Sequence, residues 1–227
     1  HATIRRQRQM CIRDRKFSHL FLAATIGIFA IGCSTNNSPK FTKSQVDILI
    51  KSMADLQNFS IILHDMDYDD GTDKYKHQYQ IVKEQPDTVT SEITQWYDVT
   101  DIEFNKNIEN MGMEIASKKD GVVKKVAAPP GYSNYVGNEK YGQWKTRSDG
   151  TSFWEFYGQY MFISSMFNMM SYPVSRGYYD DYGRSYRSGR SYYGPSSGGK
   201  SMYGTNSSYN SSTVSYTHLR AHETSEN

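Results

Sequence analysis

Cysteine is almost missing: only Cys11 and Cys33 occur in 227 residues. No CxxC pair exists, and the central part of the chain has no thiol for catalysis or for a disulfide framework. Nucleophile elbow, phosphate loop and His-Glu-x-x-His are absent as well, which removes the commonest hydrolase, nucleotide and metalloprotease signatures. Long apolar runs are scarce. The single one, residues 17–32, falls short of the roughly 20 residues that a spanning helix needs. Charge is nearly balanced, with 26 basic and 24 acidic side chains.

Both ends carry a pattern foreign to a protein. Met10-Cys11-Ile12-Arg13-Asp14 is encoded by ATG TGT ATA AGA GAC, and Val214-Ser215-Tyr216-Thr217-His218 by GTC TCT TAT ACA CAT. Each string is the reverse complement of the other. Both resemble the transposon mosaic end used in fragment libraries, and the flanks Arg6-Gln7-Arg8-Gln9 and Leu219-Arg220-Ala221-His222-Glu223 agree with it. Residues 1–15 and 214–227 are therefore expected to be translated adapter, with the natural start and end both clipped. They hold six of the basic and three of the acidic side chains, so the rest carries 20 against 21. The apparent pI above 8 then falls away, and bulk charge offers no argument for nucleic-acid binding. Cys33 is left as the one native cysteine.

Lys16 precedes the apolar run, which closes on Ala30-Ile31-Gly32-Cys33. A cation, an apolar middle and small residues before a cut are the marks of a signal peptide over 16–32. The closing tetrad resembles the lipobox of bacterial prolipoproteins, with Ala30 where that family usually has leucine. The resemblance implies diacylglyceryl transfer to Cys33, cleavage between Gly32 and Cys33, and an acylated N-terminus worth about 0.8 kcal/mol of membrane affinity per buried methylene. Residues 33–41 then form a lipidated tether. The resemblance implies a lipid-anchored cell-envelope protein and, because Ser34 rather than aspartate follows the cysteine, outer-membrane placement facing periplasm or surface if the host is Gram-negative.

Residues 42–172 suffice for one domain with a core. Thr42 or Ser44 can cap a helix running to about Gln57, with Val46, Leu49, Ile50, Met53 and Leu56 at helical spacing. Phe59–Leu63 and Tyr75–Val82 are expected as strands around an acidic turn from Asp65 to Asp73. Trp96 to Ile108 suggests a strand entering a short helix. Asp120-Gly121, between Met113–Ala116 and Val122–Val126, is the strongest hairpin signal. Ser152–Met170 is apolar nearly all round and is expected to form a helix, either core or interfacial. The class is α+β: a small single domain with an N-terminal helix, antiparallel hairpins and an apolar C-terminal helix. Gly131–Gly137 and Ser152–Gly158 resemble segments of uncharacterised bacterial lipoproteins, a likeness covering about a third of the native chain and implying no activity.

From 173 to 213 the composition turns to Tyr, Gly, Ser, Arg and Asn with almost no aliphatic side chain, and a disordered tail is expected. Its tyrosines and arginines suit contact with envelope glycan, lipid headgroups or another copy of the chain rather than nucleic acid.

The densest ionisable stretch runs from His64 to His77. Asp65, Asp67 and Asp69 begin like an EF-hand loop, but Asp70 stands where glycine is required and Lys76 where a bidentate glutamate is expected. These aspartates are weak metal candidates, and no cofactor is implied. Two functions compete: a membrane-anchored envelope lipoprotein that binds or organises something, or an envelope hydrolase or metal-binding protein using His64 or His77 with the neighbouring aspartates.

Overall fold

The computed structural model describes residues 43–213 apart from residue 87. Cys33, Gly32, the signal segment, the tether and both adapter segments lie outside these residues. Among the described residues no helix is long and apolar enough to cross a membrane.

Helix α1 (Gln45–Ser52) buries Val46 and Leu49 and is shorter than expected. Ser44 does not cap it in the usual way. Its hydroxyl donates to Glu103 Oε1 at 2.7 Å, and the Gln45 amide donates to Glu103 Oε2 at 3.2 Å, so the helix start is held by a carboxylate from a distant helix.

Strands β1 (Phe59–Asp69) and β2 (Lys74–Glu84) form the central hairpin. They extend well past the expected ends, and the acidic segment is mostly strand rather than turn. The physical reason is cross-strand pairing: Asp67 faces Lys76 and Asp69 faces Lys74, while Met66 and Tyr68 face His77 and Tyr75 on the other side. On β2's outer edge run β3 (Val89–Ile93) and β4 (Tyr97–Val99), one beyond the other. Helix α2 (Asp101–Lys106) follows, capped by Thr100, whose side chain accepts from the Glu103 amide.

Strands β5 (Glu114–Lys119) and β6 (Val122–Lys124) flank Asp120-Gly121, both at positive φ (49° and 80°), as a primed two-residue turn requires. The sheet order is β3-β2-β1-β5-β6, with β4 also on β2, and every pairing is antiparallel.

Strands β7 (Gly142–Thr146) and β8 (Ser152–Phe156) form a separate hairpin. The expected apolar helix 152–170 is thus corrected: its first part is strand, followed by one 3-10 turn and helix α3 (Met161–Met166). Phe153, Trp154 and Phe156 are β-favouring aromatics whose burial alternates, with Trp154 and Phe156 in the core. Gly142 permits the pairing, since a Cβ there would sit 2.3 Å from the Glu155 carbonyl oxygen.

The expected disorder of 173–213 is also corrected. Helix α4 (Arg176–Arg187) begins at Ser175, whose hydroxyl accepts from the Tyr178 amide at 3.3 Å, and β9 (Ser196–Ser197), β10 (Lys200–Ser201) and α5 (Ser208–Thr213) follow. Tyrosine supplies the burial that aliphatic residues would otherwise provide. Tyr179, Tyr182 and Tyr186 recur at helical spacing on α4, and Tyr182, Tyr203 and Tyr209 are buried. Polar bonds finish the attachment: the Tyr192 amide donates to the Ala127 carbonyl, the Thr205 amide to the Glu109 carbonyl, and Tyr209 OH to the Phe167 carbonyl.

Two apolar layers result. One joins α1, α2 and the sheet face bearing Phe59, Ile61, Leu63, Tyr79 and Ile81. The other joins the opposite face, at Ile62 and Val82, to Tyr132, Tyr135, Trp154, Phe167 and Tyr182. Because α4 is an integral part of that second layer, Tyr182→Ala is expected to cost about 3–5 kcal/mol in urea unfolding. A change near zero would mean that α4 is not held.

Candidate functional site

The structure separates the residues that the sequence grouped. His77 is fully buried on the first-layer face of β2, stacked on Phe104 with ring centroids 5.6 Å apart, and its Nδ1 lies 3.1 Å from Tyr79 OH. Burial pushes its pKa down to about 4, so the ring is neutral. Asp65 and Asp67 alternate with Met66, the residue that faces His77, and so project from the other side of the strand. His64 is the extra residue of a β-bulge between Leu63 and Asp65, and burial lowers its pKa against the opposing influence of Asp65. Asp69 is engaged already: its Oδ2 accepts from Lys76 Nζ at 2.7 Å and its Oδ1 from the Gly71 and Thr72 amides, and the Lys76 contact holds its carboxyl down to about 2. Asp65 Oδ1 accepts from the Met66 amide. No group of three His, Cys, Asp or Glu side chains able to hold a metal occurs among the described residues. The histidines and aspartates therefore do not converge as a catalytic or metal-binding cluster.

A different carboxylate sits where chemistry is concentrated. Glu114, the first residue of β5, is completely buried on the second-layer face, opposite Ile62 of β1. Hydroxyls of Ser60, Ser117 and Ser133 and the Gly131 amide surround it, although neither carboxylate oxygen meets strict hydrogen-bond geometry with any of them. Behind the serines stand two tyrosines of α4: Tyr182 OH is 3.2 Å from Ser133 Oγ, and Tyr186 OH is 3.0 Å from Ser117 Oγ. Burial outweighs these partners and pushes the Glu114 pKa up to about 7. Gly131 is fixed here by its φ of +80° and by Phe167, whose ring would lie 2.6 Å from an added Cβ. Gly131 and Ser133 lie against the carboxylate, and their segment is held to β1 by Asn134, whose Nδ2 donates to the Phe59 carbonyl and to Ser60 Oγ at 3.0 and 3.2 Å.

Two clefts open nearby. A polar one of about 410 Å³ is lined by Asn58, Glu84, Lys119, Asp120, Asn134 and Glu139, among others. The second, about 230 Å³ and chiefly apolar, lies between β8 and α3, bounded by Phe153, Trp154, Met161, Met169, Met170 and Pro173. Neither contains Glu114.

No family model, curated protein or solved structure matches the chain.

The arrangement can hold a proton on a buried carboxyl ringed by the hydroxyls of Ser60, Ser117 and Ser133, and neither cleft reaches that carboxyl. Glu114 was overlooked in the sequence because a single acid within Met113-Glu114-Ile115-Ala116 reads as the solvent-facing member of an alternating strand. The sequence carries no signal of its burial beyond the apolar Met113, Ile115 and Ala116 beside it.

The two buried titrating groups act in opposite senses. Glu114, raised from 4.5 to about 7, contributes stability that is present below pH 4.5 and is lost as pH rises through about 7. His77, lowered from 6.5 to about 4, contributes stability that is present above pH 6.5 and is lost as pH falls through about 4. Their slopes oppose between these limits. Urea unfolding of Glu114→Gln across a pH series is expected to lose the alkaline decline, a gain of ~3 kcal/mol at pH 8 relative to its effect at pH 4. The same profile in Glu114→Gln and the parent protein would show that Glu114 does not titrate in this way.

Proposed function

We propose that the chain is a lipid-anchored cell-envelope protein whose α+β domain binds at the membrane surface rather than catalysing a reaction. The observation that carries this reading is the run 16–32 closing on Ala30-Ile31-Gly32-Cys33. Acylation of Cys33 would put a hydrocarbon anchor just ahead of α1, and two or three acyl chains make a stable attachment. In a Gram-negative host, outer-membrane placement facing periplasm or surface follows from the same lipobox resemblance and from Ser34.

Binding is favoured over hydrolysis by the separation of His77 from Asp65 and Asp67 across the sheet. The partner surface belongs on the folded body, since Tyr182, Tyr203 and Tyr209 are turned into it. Lipid headgroups and envelope glycan remain the partner chemistries in view.

The test is expression in a bacterium of the adapter-free gene with a restored start codon, beside Cys33→Ala. Acyl mass and detergent-phase partitioning are expected for the parent and neither for the variant. Both proteins remaining unmodified and cytoplasmic would overturn the proposal.

A further inference from the structure

Four large apolar side chains of one short stretch stand out from the surface: Tyr157 and Met161, Phe162 and Met170, exposed by 39, 43, 43 and 68%. Met161 and Met170 bound the apolar cleft between β8 and α3. A soluble surface rarely gathers such groups without an occupant, and unbranched methionines conform well to an irregular apolar medium. Met161 and Phe162 are consecutive on α3, and the other two come from the turn before it and the loop after it; Phe162 also lines a second cleft with Pro86, Val89 and Tyr160.

Around this surface Lys145 offsets Glu155, and Arg147 interacts electrostatically with Asp149. Glu155 is the only carboxylate among the described residues lining the cleft, and Lys145 Nζ neutralises it at 2.9 Å. Arg147 also lines the cleft, with its guanidinium 4.6 Å from the Phe153 ring centroid. An arginine lying on an aromatic ring at the border of an apolar patch matches the boundary between acyl chains and phosphate headgroups.

We infer that the surface formed by Tyr157, Met161, Phe162 and Met170, bordered by Arg147, seats the domain on a phospholipid bilayer. This rests on the lipid-anchor reading, which supplies proximity: residues 33–42 reach at most about 35 Å when fully extended, so the domain cannot leave the bilayer's neighbourhood. Weak apolar insertion then suffices, because the anchor has already confined the domain and raised its effective concentration at the surface. Helix α2, by contrast, covers the opposite face of the central sheet, where Phe104 packs into the first layer.

The experiment uses the acylated full chain reconstituted into phospholipid vesicles with brominated acyl chains. Phe162→Trp reports from α3 and Ile102→Trp, itself an exposed position, from α2. Emission is read as the difference from the parent protein, which cancels Trp96, Trp144 and Trp154. Bromolipid quenching at position 162 is expected to exceed that at 102 by about twofold or more. Equal quenching, or stronger quenching at 102, overturns the inference. So does an unquenched reporter at 162 accompanied by a dimer mass in detergent, which assigns the surface to a second copy. Acyl mass is measured on the same sample, so the anchor can fail separately. In that case the chain is tethered to the same vesicles through the Cys33 thiol by a maleimide lipid, and the comparison of positions 162 and 102 supports or overturns the seating surface as before.

Discussion

Strands β1, β2 and β5 bury side chains on both faces, and that two-sided burial dictates the rest of the molecule. Ile61 and Leu63 point one way and Ile62 the other, so two covering layers are required. Helices α1 and α2 provide the first with aliphatic and aromatic residues in the ordinary way. The second has to come from residues 128–209, a region poor in leucine and isoleucine, and it is built from rings. Tyr132 meets Tyr182 edge-on at 5.4 Å and Tyr203 at 6.1 Å, and Trp144 lies 5.2 Å from Trp154. Edge-to-face rings fill volume as well as aliphatic chains do and leave hydroxyls to be satisfied.

Those hydroxyls explain why a carboxyl is tolerated inside. Tyr182 and Tyr186 reach Ser133 and Ser117, and the serines in turn face Glu114, so the second layer is joined to the sheet through a polar seam rather than a dry one. A buried polar network specifies one arrangement among the many that interchangeable rings would otherwise allow. The first layer uses the same device on a smaller scale, with Glu103 of α2 holding Ser44 and the start of α1.

How much of this was legible depended on residue type. The α+β class, the Asp120-Gly121 hairpin, the central hairpin and the passage from β4 into α2 were written in turn chemistry and alternation. The extent of β1 was not, because aspartate is a poor strand former until Lys74 and Lys76 stand opposite it. Residues 152–170 misled through composition: continuous apolarity does not distinguish a buried strand from a buried helix. In α4 the spacing of Tyr179, Tyr182 and Tyr186 was present, but tyrosine was weighed as a surface residue. Glu114 was hidden for a related reason, since its environment is assembled from β1, the segment 131–133 and α4, none of which is its neighbour in sequence.

The Met111 amide donates to Thr205 Oγ1 across 94 residues, and Thr205 Oγ1 also contacts the Ile108 carbonyl across 97. Closure over such spans is slow, because chain entropy is lost before the contacts that compensate for it form. While residues 203–209 are still unmade, Met113 and Ala127 lack the Tyr203 and Tyr209 rings that complete their cluster. A polypeptide with this property emerges from the ribosome unable to complete its core, and it stays threadable for longer than one that folds segment by segment.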